Sequence, residues 1–145
     1  MWKSRRDGAG DANGHHRGFD LHHRRAAQHA AALSKARDID RRRDAKALTS
    51  PVIYEVTAGF QFSRSRKEAA AFRLLAAQFA VLPFDEPSAI RAADIRAELM
   101  RLGRVKGHIA VMIAGIAAEG GHIMVTRDRD FHQIAKAAGL SVESY

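Results

Sequence analysis

From Leu48 onward, apolar residues recur at the spacings expected of helices and short strands. Ser50 and Pro51 are typical of an N-cap and a first helical position, and they predict a helix that runs to about Phe60. Between Ser65 and Phe79, apolar residues recur at spacings of three and four, which predicts a second helix. Further helices are predicted over residues 87–102, 109–118 and 131–138, each followed by a glycine that favours a helix end.

Short apolar segments lie between these helices, at residues 81–84, 122–126 and 140–142. Each is short enough for a buried strand, and the segment at 81–84 could equally be an extended link. Helices that alternate with short apolar strands predict an α/β sandwich with a parallel sheet.

Residues 1–47 follow no such pattern. They are rich in Arg and His, contain few large apolar side chains, and favour an Ala-rich helix only over about residues 22–37. We expect the first residues, roughly 20, to be flexible. The sequence therefore predicts two regions, a basic N-terminal segment at 1–47 and a patterned domain at 48–145.

The 145-residue chain has a formal net charge of +8 and contains no cysteine. Residues 1–47 hold 12 Lys/Arg and 6 Asp, so most of the excess lies in the N-terminal segment. A basic chain favours polyanionic partners, and the absence of thiols excludes disulfides and thiolate metal sites. No signal peptide or membrane span is indicated, and we expect a cytoplasmic protein.

Four motifs within residues 48–145 resemble a PIN-domain ribonuclease of the VapC toxin type. They are Ser50–Glu55, Leu82–Asp85, the Ile95–Leu99 segment with Gly103-Arg104, and Val125–Phe131, in the order that this family has them. The resemblance implies a PIN-like three-layer sandwich, in which a short parallel sheet is flanked by helices. The N-terminal strand of that fold is absent or degenerate in this sequence.

The resemblance further implies a metal-dependent endoribonuclease, because carboxylates that converge on one point hold Mg²⁺ or Mn²⁺ and the metal activates water. It implies catalytic roles for Glu55, Asp128 and Asp11, and metal ligation by Glu55, Asp128 and Asp130. Three of these residues have a simpler explanation. Glu55 could be an exposed helix residue, and Asp128 and Asp130 could form a solvated turn or cap a helix.

Two positions depart from the family pattern. Asp11 lies in an Asp-x-Asn motif, but its Gly- and His-rich flanks are not strand-like. Ala110 occupies the position of the family's third acid, and a methyl group cannot bind a metal. His108 lies two residues earlier and suits Mn²⁺ or Zn²⁺ better than Mg²⁺, or simply starts a helix.

The expected partners are RNA, a cognate antitoxin protein and a second copy of the chain. RNA phosphates would contact basic residues near the expected site: Arg64, Arg66, Lys67, Arg104, Lys106, Arg127 and Arg129. One alternative is a catalytically inactive PIN-like protein that binds an antitoxin or RNA without cleavage. Another, a basic DNA-binding module, lacks any helix-turn-helix or zinc-finger motif.

Three hypotheses explain the unpatterned N-terminal segment: a shifted reading frame or misassigned start, a diverged copy that has lost catalysis, or a basic arm that binds RNA. A nucleotide sequence whose other frames encode no apolar strand ending in Asp would exclude the first.

Overall fold

The computed structural model describes residues 34–35, 37–41, 45–104 and 106–144. The chain divides into two compact units, Met1–Arg42 and Arg43–Tyr145. In the first unit, residues 34–35 and 37–41 are helical, and Arg41 lies 3.5 Å from Asp38 in an exposed ion pair. The predicted flexibility of the first residues and the role of Asp11 concern parts of the chain outside the described residues.

The second unit has nine described elements. They are β1 (Ala47–Thr49), α1 (Ser50–Ser63), α2 (Arg66–Ala76), β2 (Ala80–Leu82), α3 (Glu86–Arg101), α4 (His108–Glu119), β3 (Met124–Val125), α5 (Asp130–Ala138) and β4 (Val142–Glu143). The five helices predicted within residues 48–145 are all present, with ends that differ by a few residues. Most of the helix predicted over residues 22–37 lies outside the described residues. The strand β1 was not predicted.

All the described strands pair in parallel. Strand β1 pairs with β2 in the register Leu48 to Val81, and β3 pairs with β4 in the register Met124 to Val142. Within the described residues these are two separate two-stranded sheets, where the sequence predicted one. The parallel α/β class is as predicted.

The core lies where α3, α4 and α5 meet. Ile95, Leu99 and Ile134 are almost completely buried there, with Val111 and Ala114 of α4 beside them. Helix α3 makes its most extensive packing against α4. Phe84, Phe131 and Leu140, which lie close to the ends of strands, pack against this three-helix cluster.

The start of α1 differs from the prediction. Its N-cap is Thr49, and Ser50 is already helical. The Ser50 hydroxyl instead accepts a hydrogen bond of 3.0 Å from the backbone N–H of Phe84, in the segment after β2. The side chain that was expected to cap α1 thus ties this helix to a neighbouring loop.

Helix α3 has a side-chain cap. The Asp85 carboxylate accepts a hydrogen bond of 3.1 Å from the Ser88 backbone N–H, one of the donors that a helix start leaves unpaired. The pKa of Asp85 lies below the usual 3.8, mainly because of a hydrogen bond with the Ser88 side chain and to a lesser extent because of the one from the Ser88 backbone.

None of the described helices is long and apolar enough to cross a membrane.

Candidate active site

The sequence places an acidic loop, residues 126–130, directly after β3. In parallel α/β folds the carboxyl ends of strands are where sites form, because loops and helix starts meet there. Asp128 and Asp130 both lie in this loop, and both are exposed. This is the part of the structure where candidate acidic residues come together.

Two hydrogen bonds fold the acidic loop. The Thr126 hydroxyl accepts from the Asp128 backbone N–H at 3.1 Å, and the Asp128 carboxylate accepts from the Asp130 backbone N–H at 2.9 Å. Asp128 therefore satisfies a backbone donor at the start of α5, as a helix-capping residue does. This contact matches the simpler explanation given for Asp128, and it occupies one of the carboxylate's oxygens.

Lys106 contributes a cation to this loop. Its ammonium lies 2.8 Å from an Asp130 carboxylate oxygen, and the Lys106 side chain is only 15% exposed whereas that of Asp130 is 67% exposed. The two residues are 24 positions apart, so no local sequence signal indicates the pair. Lys106 was predicted to bind RNA; that role stays a prediction, and the structure shows its ammonium bound to Asp130.

Glu55 lies on α1, and its side chain is exposed. A carboxylate between apolar neighbours such as Ile53 and Val56 would need a functional reason if it were buried. Because Glu55 is exposed, its surroundings give no such reason. Across the described residues, no three His, Asp or Glu side chains are grouped so that they could hold a metal ion. The described donors therefore do not by themselves fit a magnesium or manganese site.

The position of the family's third acid is at the edge of the core. Ala110 is half-buried and packs against the buried cluster of α3, α4 and α5. His108 is exposed at the start of α4, and its ring nitrogens lie 3.1 and 3.3 Å from a guanidinium nitrogen of Arg96. His108 therefore lies beside a cation and not among carboxylates.

The seven predicted RNA-binding residues are spread over several parts of the domain. Arg64 and Arg66 line a groove at the turn between α1 and α2, with Lys67 on the next helical position. Arg104 and Lys106 line a small concavity between α3 and α4. Arg127 and Arg129 lie within the acidic loop itself. Their role in RNA binding stays a prediction.

A sequence model of the PIN domain matches residues 17–137. The match includes most of the basic N-terminal segment at residues 1–47. The division of the chain near residue 47 stays a prediction. No curated protein matches the sequence.

Several solved structures are similar to this chain. The DNA-bound VapBC complex from Salmonella typhimurium has 31% sequence identity and a TM-score of 0.62, over 68% of this chain and 74% of that chain. VapBC-5 from Mycobacterium tuberculosis has 28% identity and a TM-score of 0.54, over 68% and 79%. VapBC2 from Rickettsia felis, bound to a promoter DNA fragment, has a TM-score of 0.70 over 81% and 88%, and at 18% identity it supports the fold alone. The predicted fold class is confirmed.

Proposed function

We propose, from the premise that this chain belongs to the PIN-domain family, that it is a VapC-like endoribonuclease toxin of a toxin–antitoxin pair. The resemblance that the sequence motifs predicted is confirmed by the family match. The observation that carries the functional proposal is the 31% identity to a chain of the Salmonella VapBC complex over two thirds of this chain. The proposed substrate is RNA, and the proposed reaction is hydrolysis of its phosphodiester bonds.

The proposed catalytic residues are Glu55, Asp128 and Asp11, with Asp130 as a further metal ligand for Mg²⁺ or Mn²⁺. Only Asp128 and Asp130 lie together within the described residues. The described donors do not complete a metal site, and no catalytic step is assigned to a metal here. What the acidic loop supplies is two carboxylates at a strand end, one that accepts a hydrogen bond from the backbone N–H of the first residue of α5 and one that is bound to Lys106.

A second function is favoured by two specific observations. Ala110 removes a carboxylate from the position where the family has its third acid, and the Lys106 ammonium neutralises Asp130. Both changes lower the negative charge available to a divalent cation. They favour a PIN-like protein that binds its partners without cleaving RNA.

The proposed partner is a cognate antitoxin, supported by the toxin–antitoxin complexes among the similar structures. A second copy of the chain is a further proposed partner. RNA is proposed to contact the seven basic residues named from the sequence, and contacts to phosphate would make binding strongly dependent on salt.

Titration of the full chain with Mn²⁺ by calorimetry, at near-physiological salt, separates the two functions. The nuclease predicts binding that is lost in Glu55→Ala and in Asp128→Ala, and RNA cleavage by the wild type that the same substitutions abolish. Ala110→Asp is expected to raise Mn²⁺ affinity, because it returns a carboxylate to the third-acid position.

The absence of Mn²⁺ binding and of cleavage, in a protein that circular dichroism shows to be folded, would refute the nuclease and leave the binding protein. Unchanged Mn²⁺ affinity in Ala110→Asp would show that residue 110 lies outside the site. RNA cleavage with no dependence on Glu55 or Asp128 would refute the assignment of the catalytic residues.

A further inference from the structure

The turn between α1 and α2 forms an open groove of about 320 Å³. Phe60 and Ala69 contribute its apolar floor, and Arg64, Arg66 and Arg73 line its rim. We call this surface the hairpin groove. It is formed by helices α1 and α2 and the turn between them, and the acidic loop contributes no residue to it.

The local sequence builds this groove in a defined way. Arg64 ends α1 in the left-handed conformation, with φ of 54°, so the chain reverses within two residues and α2 begins at Arg66. Arg66, Ala69 and Arg73 are three and four positions apart, so they lie on one face of α2. The rings of Phe60 and Phe72 meet with centroids 5.9 Å apart and hold the two helices together. The groove is therefore already formed without an occupant.

The charge on the groove has one sign. Within the described residues, none of the three rim arginines forms an ion pair, and no carboxylate lines the groove. Three guanidinium groups around one concavity repel one another, and an anionic occupant would relieve that repulsion. Guanidinium groups bind carboxylates through paired hydrogen bonds, which adds specificity to the charge attraction.

The surrounding surface is suited to protein. Along the same two helices, Phe62 is 93% exposed and Leu74 is 74% exposed, with Tyr54 and Leu75 also exposed. Interfaces between proteins are enriched in aromatic residues and arginine, whereas the phosphates of RNA need no apolar floor. Phe60 and Phe72 pack ring against ring, which reduces the ring area on which RNA bases could stack.

The charges of the chain argue against its own segments as the occupant. Residues 1–47 carry 12 Lys/Arg and 6 Asp, and the whole chain has a net charge of +8. We propose that the hairpin groove binds an acidic segment of another protein, with an apolar side chain on the floor formed by Phe60 and Ala69 and carboxylates against the rim arginines. This inference does not require the chain to bind a metal or to cleave RNA, and it replaces the RNA contact proposed above for Arg64 and Arg66 with a contact to a protein partner.

The test is fluorescence anisotropy with the full chain and a labelled synthetic helical peptide that carries glutamates on one face around a central leucine. Arg66→Gln/Arg73→Gln is expected to weaken binding about tenfold or more, because it removes two charged groups that donate hydrogen bonds to the carboxylates. Arg101→Gln/Lys136→Gln removes the same charge from exposed positions outside the groove, and it should keep affinity within about twofold if the rim arginines act directly. Ala69→Met fills the floor without a change of charge and is also expected to weaken binding.

Circular dichroism establishes that each variant is folded before its affinity is compared. Several results would overturn the proposal. One is no binding of the acidic peptide, or equal binding of a peptide with lysine in place of glutamate. Another is an equal loss in the two double variants, which would reduce the effect to net charge. A preference for single-stranded RNA that Arg66→Gln/Arg73→Gln removes would make the groove an RNA surface. Self-association that the same variant abolishes, measured by light scattering, would make it a contact between copies.

Discussion

Gly115 allows α3 and α4 to pack at very short range, and Gly115→Ala tests that packing. A Cβ at this position would lie 2.6 Å from the Ser88 carbonyl oxygen, 2.7 Å from the Ala92 Cβ and 2.9 Å from the Ala92 backbone nitrogen. Two of these three atoms are backbone atoms of α3, and Ala92 itself is buried. Relief of the overlap therefore requires movement of a helix, because no flexible side chain can turn away.

The magnitude follows from two opposing effects. Alanine in place of glycine within a helix stabilises by roughly 0.5–1 kcal/mol. An extra carbon in a well-packed core costs typically about 1–3 kcal/mol, and backbone contacts place this site at the upper end of that range. We expect Gly115→Ala to lower the free energy of unfolding by about 1–2.5 kcal/mol, which is a packing cost of roughly 2–3 kcal/mol less a helix gain of roughly 0.5–1 kcal/mol.

Gly59 provides the matched control. It also lies inside a helix, α1, but a Cβ there would meet nothing within 4 Å. Gly59→Ala should therefore show the helix preference alone, a gain of roughly 0.5–1 kcal/mol. The same substitution is thus expected to have opposite signs at two helical positions of one domain.

Urea unfolding of both variants, followed by far-UV circular dichroism, measures the two free energies. The midpoint should fall for Gly115→Ala and rise for Gly59→Ala, with the slope unchanged in each. A Gly115→Ala protein as stable as the wild type would refute the short approach of α3 to α4. A loss in both variants would refute the argument from local space.

Three further predictions concern the core, a helix cap and the acidic loop. Ile134→Ala is expected to cost about 2–5 kcal/mol in urea unfolding, because Ile134 is fully buried; a loss below about 1 kcal/mol would contradict its place in the core. Asp85 has a folded pKa below its usual 3.8, so its charge stabilises the fold at pH values above the unfolded pKa, and that contribution is lost as pH falls through the folded pKa. Wild type should therefore lose stability relative to Asp85→Asn in strong acid, and parallel pH profiles would contradict this. Lys106→Met removes the cation 2.8 Å from Asp130 and should raise Mn²⁺ affinity severalfold in calorimetry, whereas Lys136→Met should not; equal affinities would show that the ion pair does not oppose metal binding.

Helix ends were predicted well where the signal is local. Gly139 was expected to end the last helix, and it does so in the left-handed conformation with φ of 67°. Gly103 follows α3 with φ of 65°. Such conformations are available to glycine at little cost whatever the rest of the chain does, so the residue itself indicates the turn.

Features that depend on distant residues were missed. Strand β1 is three residues long and exists because it pairs with Ala80–Leu82, so its own residues carry too little pattern to predict it. Ser50 and Pro51 correctly indicated a helix start, but the Ser50 hydroxyl binds the N–H of Phe84, 34 positions away. The sequence does not show whether that hydroxyl caps its own helix or binds a distant segment, because the answer depends on how the elements pack.

Residue types and their spacing along the chain were sufficient to predict the order of the helices and of three of the four described strands, the family motifs and the loss of a carboxylate at Ala110. The tertiary structure alone decided that Lys106 meets Asp130, that Glu55 is exposed and that three arginines share one groove. Sequence spacing determines which residues can share one helix face, whereas contacts between elements depend on how those elements pack. The net charge around an acidic residue depends on such contacts. For that reason the sequence was sufficient to name Asp130 as a candidate, whereas its pairing with Lys106 became visible only in the structure.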